Sequence, residues 1–507
     1  MNRTQARQRI AAFPKDDIDA AFSAGVDLLR ADHAELLLPA GRTLARRFPQ
    51  DARSHQLLGL AARAAQDSAQ ALESFARAHE LAPGDALIAN SHARAALEAG
   101  RPAVALFERA IALAPQDGTL RLGHAASLLH EGRTDDAVAL LDALTAANPM
   151  WADGHRDAAH IRGQLGLDPC ASISAALRQH PRSPDLHLLL AGTKLEALDF
   201  QGAREVLEDA RKRIGTSPQL AVLTAHAASE SGDLDGADAL FASFDAAVGV
   251  NDASLLARHL LRAGREIAVA PLLEPLVAKD FNHLLWPYLS LAWRLTGDPR
   301  WHWLEGDEHL VGVFDLADQI GDLTELADHI RSLHFAKQQP LDQSVRGGTQ
   351  TDGNLLLRTN PAIRNLRRVI LEAVEKHVAQ LPAFEASHPT LLAERDPLRI
   401  AGSWSVRLTD AGFHSDHVHG RGWISSAFYL ALPDTLGSGH GAAGPANAGW
   451  LSIGESRDIL PQLEPVRLIE PKAGRLVLFP STMWHGTRPF PSGERMTVAF
   501  DIARPLQ

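Results

Sequence analysis

The stretch GFHSDHVHGRGW, residues 412–423, places His414, His417 and His419 within six residues, with Asp416 among them. Imidazoles crowded in this way form a metal site, a pH-sensitive patch, or a coincidence in a chain with 24 histidines. His485 lies far away in FPSTMWHGTRPF, and Arg495 follows ten residues later in ERMTVAFDI. His417 and His419 are offset by two, and on an extended segment such side chains point the same way. A third histidine arriving from a distant strand could close one face of a metal ion. An arginine on an adjacent strand could grip a carboxylate through two parallel hydrogen bonds. Together these meet the needs of a non-haem Fe(II) centre that keeps positions open for a chelating keto acid and O2. His417 and His485 read as metal ligands ahead of hydrogen-bonded core histidines. His419 is balanced between the two readings, and His414 and Asp416 read better as a solvated loop.

Strands must carry these groups. LRIAGSWSVRLT, GWISSAFYLALP, VRLIE, GRLVLFP and RMTVAFDIA are β-branched, aromatic and partly alternating, and turns such as EPKAGR separate them. Several short strands with helices on one side predict a jelly-roll sandwich. LTELADHIRSLH and NPAIRNLRRVILEAVEKHVAQL are the helices, the second capped by Asn360 with Pro361 at its first position. Arg346 and Gln350 in VRGGTQTDG are candidates for the mouth of the site, with Gly347 and Gly348 marking a turn. Trp423 and Trp484 flank the ligand candidates and would shield a metal from bulk water. The loop Gly437–Gly449 contains GxGxxG at Gly439, Gly441 and Gly444. It is no dinucleotide fingerprint, because no helix follows it and no βαβ unit surrounds it.

The first half is built differently. Pro49, Pro83, Pro115, Pro149, Pro184 and Pro218 recur at spacings of 34, 32, 34, 35 and 34. Within each unit a Gly or Asp marks a helix-to-helix turn (Asp67, Gly100, Gly132, Gly166, Asp199, Gly232), and an alanine often follows soon after. A stack of helix–turn–helix pairs explains this pattern, each pair burying an apolar face that only its neighbours can cover. The period fades after about residue 265, where Trp286, Trp293, Trp301 and Trp303 are set to pack the last helices against the next domain.

Composition narrows the function classes. A net charge of −11 argues against general affinity for nucleic acid or anionic membrane. Cys170 is the only cysteine, so no internal disulfide can form, which suits the cytoplasm. The first residues lack the apolar core of a secretory signal, and no stretch approaches a spanning helix. No Ser-His-Asp order, Walker loop or CxxC pair competes for the chemistry.

These residues carry two resemblances. Residues 17–265 resemble tetratricopeptide repeats in period, with the usual Trp and Tyr positions mostly replaced. The stretches QSVRGGTQTDG, GSWSVRL, GFHSDHVHGRGWISSAFYLALP, GRLVLFPSTMWHGTRPF and ERMTVAFDI resemble the Fe(II)- and 2-oxoglutarate-dependent oxygenases, over about residues 305–507. The second resemblance implies that His485 binds iron and that Arg495 binds the C5 carboxylate of 2-oxoglutarate, with Thr497 adding a hydroxyl. Tyr429 would either bond to 2-oxoglutarate or be a buried strand tyrosine. Where that superfamily has His-x-Asp, this chain has His417-Val418-His419. The metal set is therefore His417, His419 and His485, or Asp416 or Asp410 supplies a carboxylate, or the site is degenerate.

The expected fold is multidomain α + β: an α-solenoid with a helical connector over 1–300, and a double-stranded β-helix (jelly roll) with supporting helices over 301–507. The expected function is an Fe(II)/2-oxoglutarate-dependent dioxygenase that hydroxylates a protein, peptide or small molecule. O2 would be consumed, and a partner or substrate would sit in the solenoid groove. The alternative is a non-catalytic scaffold with a relic β-domain. The change of period near residue 300 predicts two cores that fold apart, unless the tryptophans at 286–303 join them.

Overall fold

The structure, a computed structural model, describes residues 1–242, 249–341, 343–433, 436 and 447–506. The glycines of the GxGxxG loop lie outside the described residues, and so does the side chain of Asp410.

The repeat period is a capping period. Asp17, Asp51, Asp85 and Asp117 each accept a backbone N–H from the first turn of the helix they precede. Ser183 and Ser217 do the same for later repeats, with Pro184 and Pro218 at the first helical position. The turns inside the repeats need left-handed backbone, supplied by Gly100, Gly132, Gly166 and Gly232 at φ 69°, 77°, 74° and 86°. In two repeats Gln66 and Leu198 take that conformation at φ 60°, and Asp67 and Asp199 cap the next helix instead. Close helix approach needs small residues: a Cβ on Gly59 would stand 2.8 Å from the Phe75 ring.

Among the described residues, nine strands form the sheet of the second half: β1 Gly312–Asp315, β2 Val345–Gln350, β3 Ile400–His417, β4 Gly422–Ala431, β5 Leu451–Ile453, β6 Arg467–Ile469, β7 Arg475–Pro480, β8 His485–Thr487 and β9 Glu494–Ala503. They pair antiparallel in the order β1-β7-β4-β9-β3-β8-β5-β6, with β2 added to β3. The sheet curls, so Tyr429, Val477 and Phe479 pack against Leu451, Ile453 and Ile469 from its far end. This is the expected jelly roll. β2 was expected as a turn and is a strand with a register shift at Gly347, whose φ is 68°.

β9 shows how sequence makes two faces. Met496, Val498, Phe500 and Ile502 enter the core beneath the helix Pro361–Gln380, beside its Ile363, Leu366, Val369 and Ile370. Arg495, Thr497, Ala499 and Asp501 alternate onto the opposite face, which carries the site.

The two halves meet along the first five repeats and again at the end of the solenoid. The turn in each of five successive repeats touches the second half. Arg399 pairs with Asp32 and, at 2.6 Å, with Glu35. Gln66 exchanges two bonds with the Ile400 backbone, at 2.7 and 2.9 Å. Thr359 N donates to Ala99 O at 2.9 Å, Arg358 to His130 Nε2 at 2.9 Å, and Lys337 N to Gln164 O at 2.8 Å. At the far end Trp286, Trp293 and Leu304 share one apolar cluster with Ile459 and Trp484. The expected boundary at 300/301 therefore runs through a single packed cluster. A 305–507 fragment is expected to aggregate while the full chain stays monodisperse, because the cut bares that apolar face. A soluble, monodisperse fragment by light scattering would refute this.

Glu305 is buried at the same junction, and among the described residues only the Ser290 hydroxyl donates to it, at 2.6 Å. Burial raises its carboxyl to about 7, Ser290 and Arg294 opposing less strongly. The folded state then holds this proton more tightly than the unfolded chain does. Stability is thus lost as pH rises from the ordinary carboxylate range through about 7. Glu305→Gln keeps the Ser290 bond without the charge. It is expected to stabilise the protein at pH 8 by up to about 3 kcal/mol, and much less at pH 5. Urea unfolding at the two pH values measures the difference, and an equal gain at both would refute the assignment.

Candidate metal centre

His417 ends β3 and His485 begins β8, and the two are directly paired across these strands. Cross-strand partners share a face, so register alone sets their rings 4.2 Å apart, centroid to centroid. His419 follows β3, tied by its own N–H to Ser481 O at 2.9 Å. Its ring lies 4.9 Å from that of His417 and 5.0 Å from that of His485. One nitrogen from each of the three lies within 4.8 Å of the others, a group that could hold a metal ion.

The hydrogen bonds set the tautomers. His417 Nδ1 meets Ser415 O at 2.9 Å, and His485 Nδ1 meets Met483 O at 3.0 Å. A carbonyl only accepts, so both Nδ1 atoms carry the proton and both Nε2 atoms present lone pairs. His419 Nδ1 lies 2.7 and 2.9 Å from the two oxygens of Asp501, with the same consequence. Burial pushes His417 down to about 3 and His485 well below the ordinary imidazole range, so both are neutral. Burial also acts on His419, but Asp501 outweighs it and the net shift is upward. A divalent transition metal needs pre-aimed imidazoles with a free lone pair and displaces a proton where one is held, so the three residues fit one.

The other members of the cluster are not a solvated loop. Asp416 is buried, and Arg457 takes both of its oxygens at 2.6 and 2.7 Å, while Arg457 N adds a third bond at 2.7 Å. These bonds lock Asp416 away from the three histidines. His414 is half-buried. Its Nδ1 is 3.0 Å from Ser344 Oγ, which lies 3.2 Å from His417 Nε2.

Arg495 is 2% exposed and has no carboxylate partner among the described residues. Its guanidinium carbon sits 5.1 Å from the centroid of the Tyr429 ring, and its Nε is buried with no hydrogen-bond partner among the described residues. A lone buried cation is costly, and an anion delivered to it would be held strongly. Tyr429 is fully buried, its hydroxyl makes a well-formed hydrogen bond with no partner among the described residues, and it pairs across β4 and β9 with Thr497. Arg346 is half-buried and donates to Gln343 O and Val345 O at 2.6 and 2.8 Å. Gln350 lines a cavity of about 310 Å³ together with Trp404, whose ring packs 5.6 Å from that of His419. Trp423 packs into the main core and donates to Thr390 O at 2.8 Å, and Trp484 donates to Pro287 O at 3.0 Å.

Sequence reasoning missed Asp501, Ser344 and Arg457. Asp501 left a trace, since it is the one acid within the otherwise apolar run TVAFDIA.

No curated protein matches the chain. Among solved structures, a Pseudomonas putida prolyl-4-hydroxylase is 16% identical, covering 39% of this chain and 95% of its own, with a TM-score of 0.26. HygX from Streptomyces hygroscopicus, with nickel, 2-oxoglutarate and hygromycin B bound, is 11% identical over 39% and 84% of the two chains, with a TM-score of 0.27. A tetratricopeptide repeat protein from Parabacteroides merdae is 13% identical over 44% and 96%, with a TM-score of 0.24. Residues 102–159 match the family model described as "Tetratricopeptide repeat" and residues 402–501 that described as "Putative 2OG-Fe(II) oxygenase", so one segment of each half is similar to a known family.

Proposed function

We propose that the protein is an Fe(II)/2-oxoglutarate-dependent dioxygenase that hydroxylates a protein, peptide or small-molecule substrate. The observation carrying this reading is the convergence of one nitrogen from each of three histidines on the same sheet face as a buried arginine that has no carboxylate partner among the described residues. His417, His419 and His485 would hold the iron. Arg495 would bind the C5 carboxylate of 2-oxoglutarate, helped by Thr497 and the Tyr429 hydroxyl. Iron with 2-oxoglutarate supplies the oxidative chemistry, in which O2 is consumed and succinate and CO2 leave. The chain's own residues aim the imidazoles, receive the carboxylate and keep bulk water out with the apolar wall of Phe479 and Tyr429.

The solenoid, residues 1–300, is proposed to recruit the substrate or a partner protein, and residues 301–507 to perform the reaction. The shared cluster at the junction supports their acting as one body. No helix among the described residues is long and apolar enough to cross a membrane. Anaerobic titration of the full chain with Fe(II) and then 2-oxoglutarate tests the reading. A saturable visible charge-transfer band at one equivalent is the expected result, and its absence from metal-loaded protein would overturn the proposal.

A further inference from the structure

His419 differs from the other two histidines in what holds its Nδ1. Backbone carbonyls hold His417 and His485. A carboxylate, Asp501, holds His419 through both oxygens at 2.7 and 2.9 Å. Asp501 is itself fixed, because the Ser425 hydroxyl donates to it at 2.7 Å, and Ser425 and Asp501 are directly paired across β4 and β9. Its side chain is 13% exposed, so water screens it poorly. Among the described residues, Asp416 also lies near the cluster, and Arg457 neutralises it. Three imidazoles alone leave a dication with no compensating charge.

We propose that Asp501 is a positioning residue for the metal: it supplies the site's negative charge from one bond beyond the ligands, making His419 a stronger donor and fixing its ring. This rests on the ligand set proposed above. Histidine at 419 and aspartate at 501 then form one coupled unit. An aspartate at 419 would face Asp501 as a like charge in a buried place, so the exchange is tolerated only if both positions change.

The test uses Co(II) as the probe on the full chain, reading affinity by chelator competition and geometry from the visible Co(II) spectrum. Asp501→Ala is expected to weaken binding about 10–100-fold and to alter the spectrum, as loss of an outer carboxylate partner does. Asp501→Asn is nearly isosteric and keeps an acceptor for Nδ1, so it folds and loses less. His419→Asp alone is expected to bind poorly, and His419→Asp with Asp501→Asn to recover at least about tenfold of that loss. Wild-type affinity and spectrum in both Asp501 variants, or no recovery in the double variant, would overturn the inference. His485→Ala separates the two layers. If it binds Co(II) as the wild type does, the ligand set and this inference fall together. If it loses Co(II) while the Asp501 variants keep it, only this inference falls.

Discussion

Replacing His485 with alanine is expected to cost at least about 100-fold in Fe(II) affinity, since loss of a ligand exceeds the 10–100-fold worth of an outer partner. The fold should survive the change. β8 is held by backbone pairing with β3 and β5, and the His485 ring itself bonds only to Met483 O among the described residues. Bound iron after anaerobic reconstitution, with circular dichroism as the check on folding, measures both. 2-Oxoglutarate turnover should vanish with the metal. A folded variant that keeps wild-type iron content would sink the ligand assignment.

Arg495→Lys should act on a different ligand. A guanidinium offers two parallel donors to a carboxylate, whereas an ammonium is a point charge on a flexible stem. The position is fully buried, and the Tyr429 ring lies against it, so a lysine cannot recruit water to mend the geometry. Disturbing one partner of a buried ion pair costs about 3 kcal/mol or more, which is over about 100-fold in affinity. 2-Oxoglutarate affinity should fall by that factor in metal-loaded protein, while metal affinity stays as it was. Calorimetric titration separates the two, and an unchanged 2-oxoglutarate dissociation constant would refute the role of Arg495.

How much could be read without the structure depended on the range of each signal. The repeats were legible because caps and turns are local and recur at a fixed period. β9 was legible because its alternation spans ten residues, Glu494–Ala503. β5 and β8, at three residues each, are too short to alternate and were missed. The fate of Asp416 was hidden because Arg457 lies 41 positions away, and no local pattern announces such a pairing. Without that partner, an acid between histidines reads as solvated. His419 was poised between ligand and core residue for the same reason, since Asp501 is 82 positions further on. The embrace of the two halves was equally invisible, resting on bonds such as Arg399 to Glu35 across 364 positions.

That embrace limits how the chain can change length. A free-standing stack of repeats can gain or lose a unit, because each repeat answers only to its neighbours. In this chain Asp32, Gln66, Ala99, His130 and Gln164 stand one repeat apart, and each meets a different landmark: Arg399, Ile400, Thr359, Arg358 and Lys337. The solenoid works as a ruler laid against a fixed object. Excising one unit would slide every later mark past its landmark, and inserting one would overshoot. Duplication and deletion, the ordinary route by which repeat arrays diversify, would therefore break these contacts anywhere in residues 32–164, whereas point substitution away from the five marks leaves them in place.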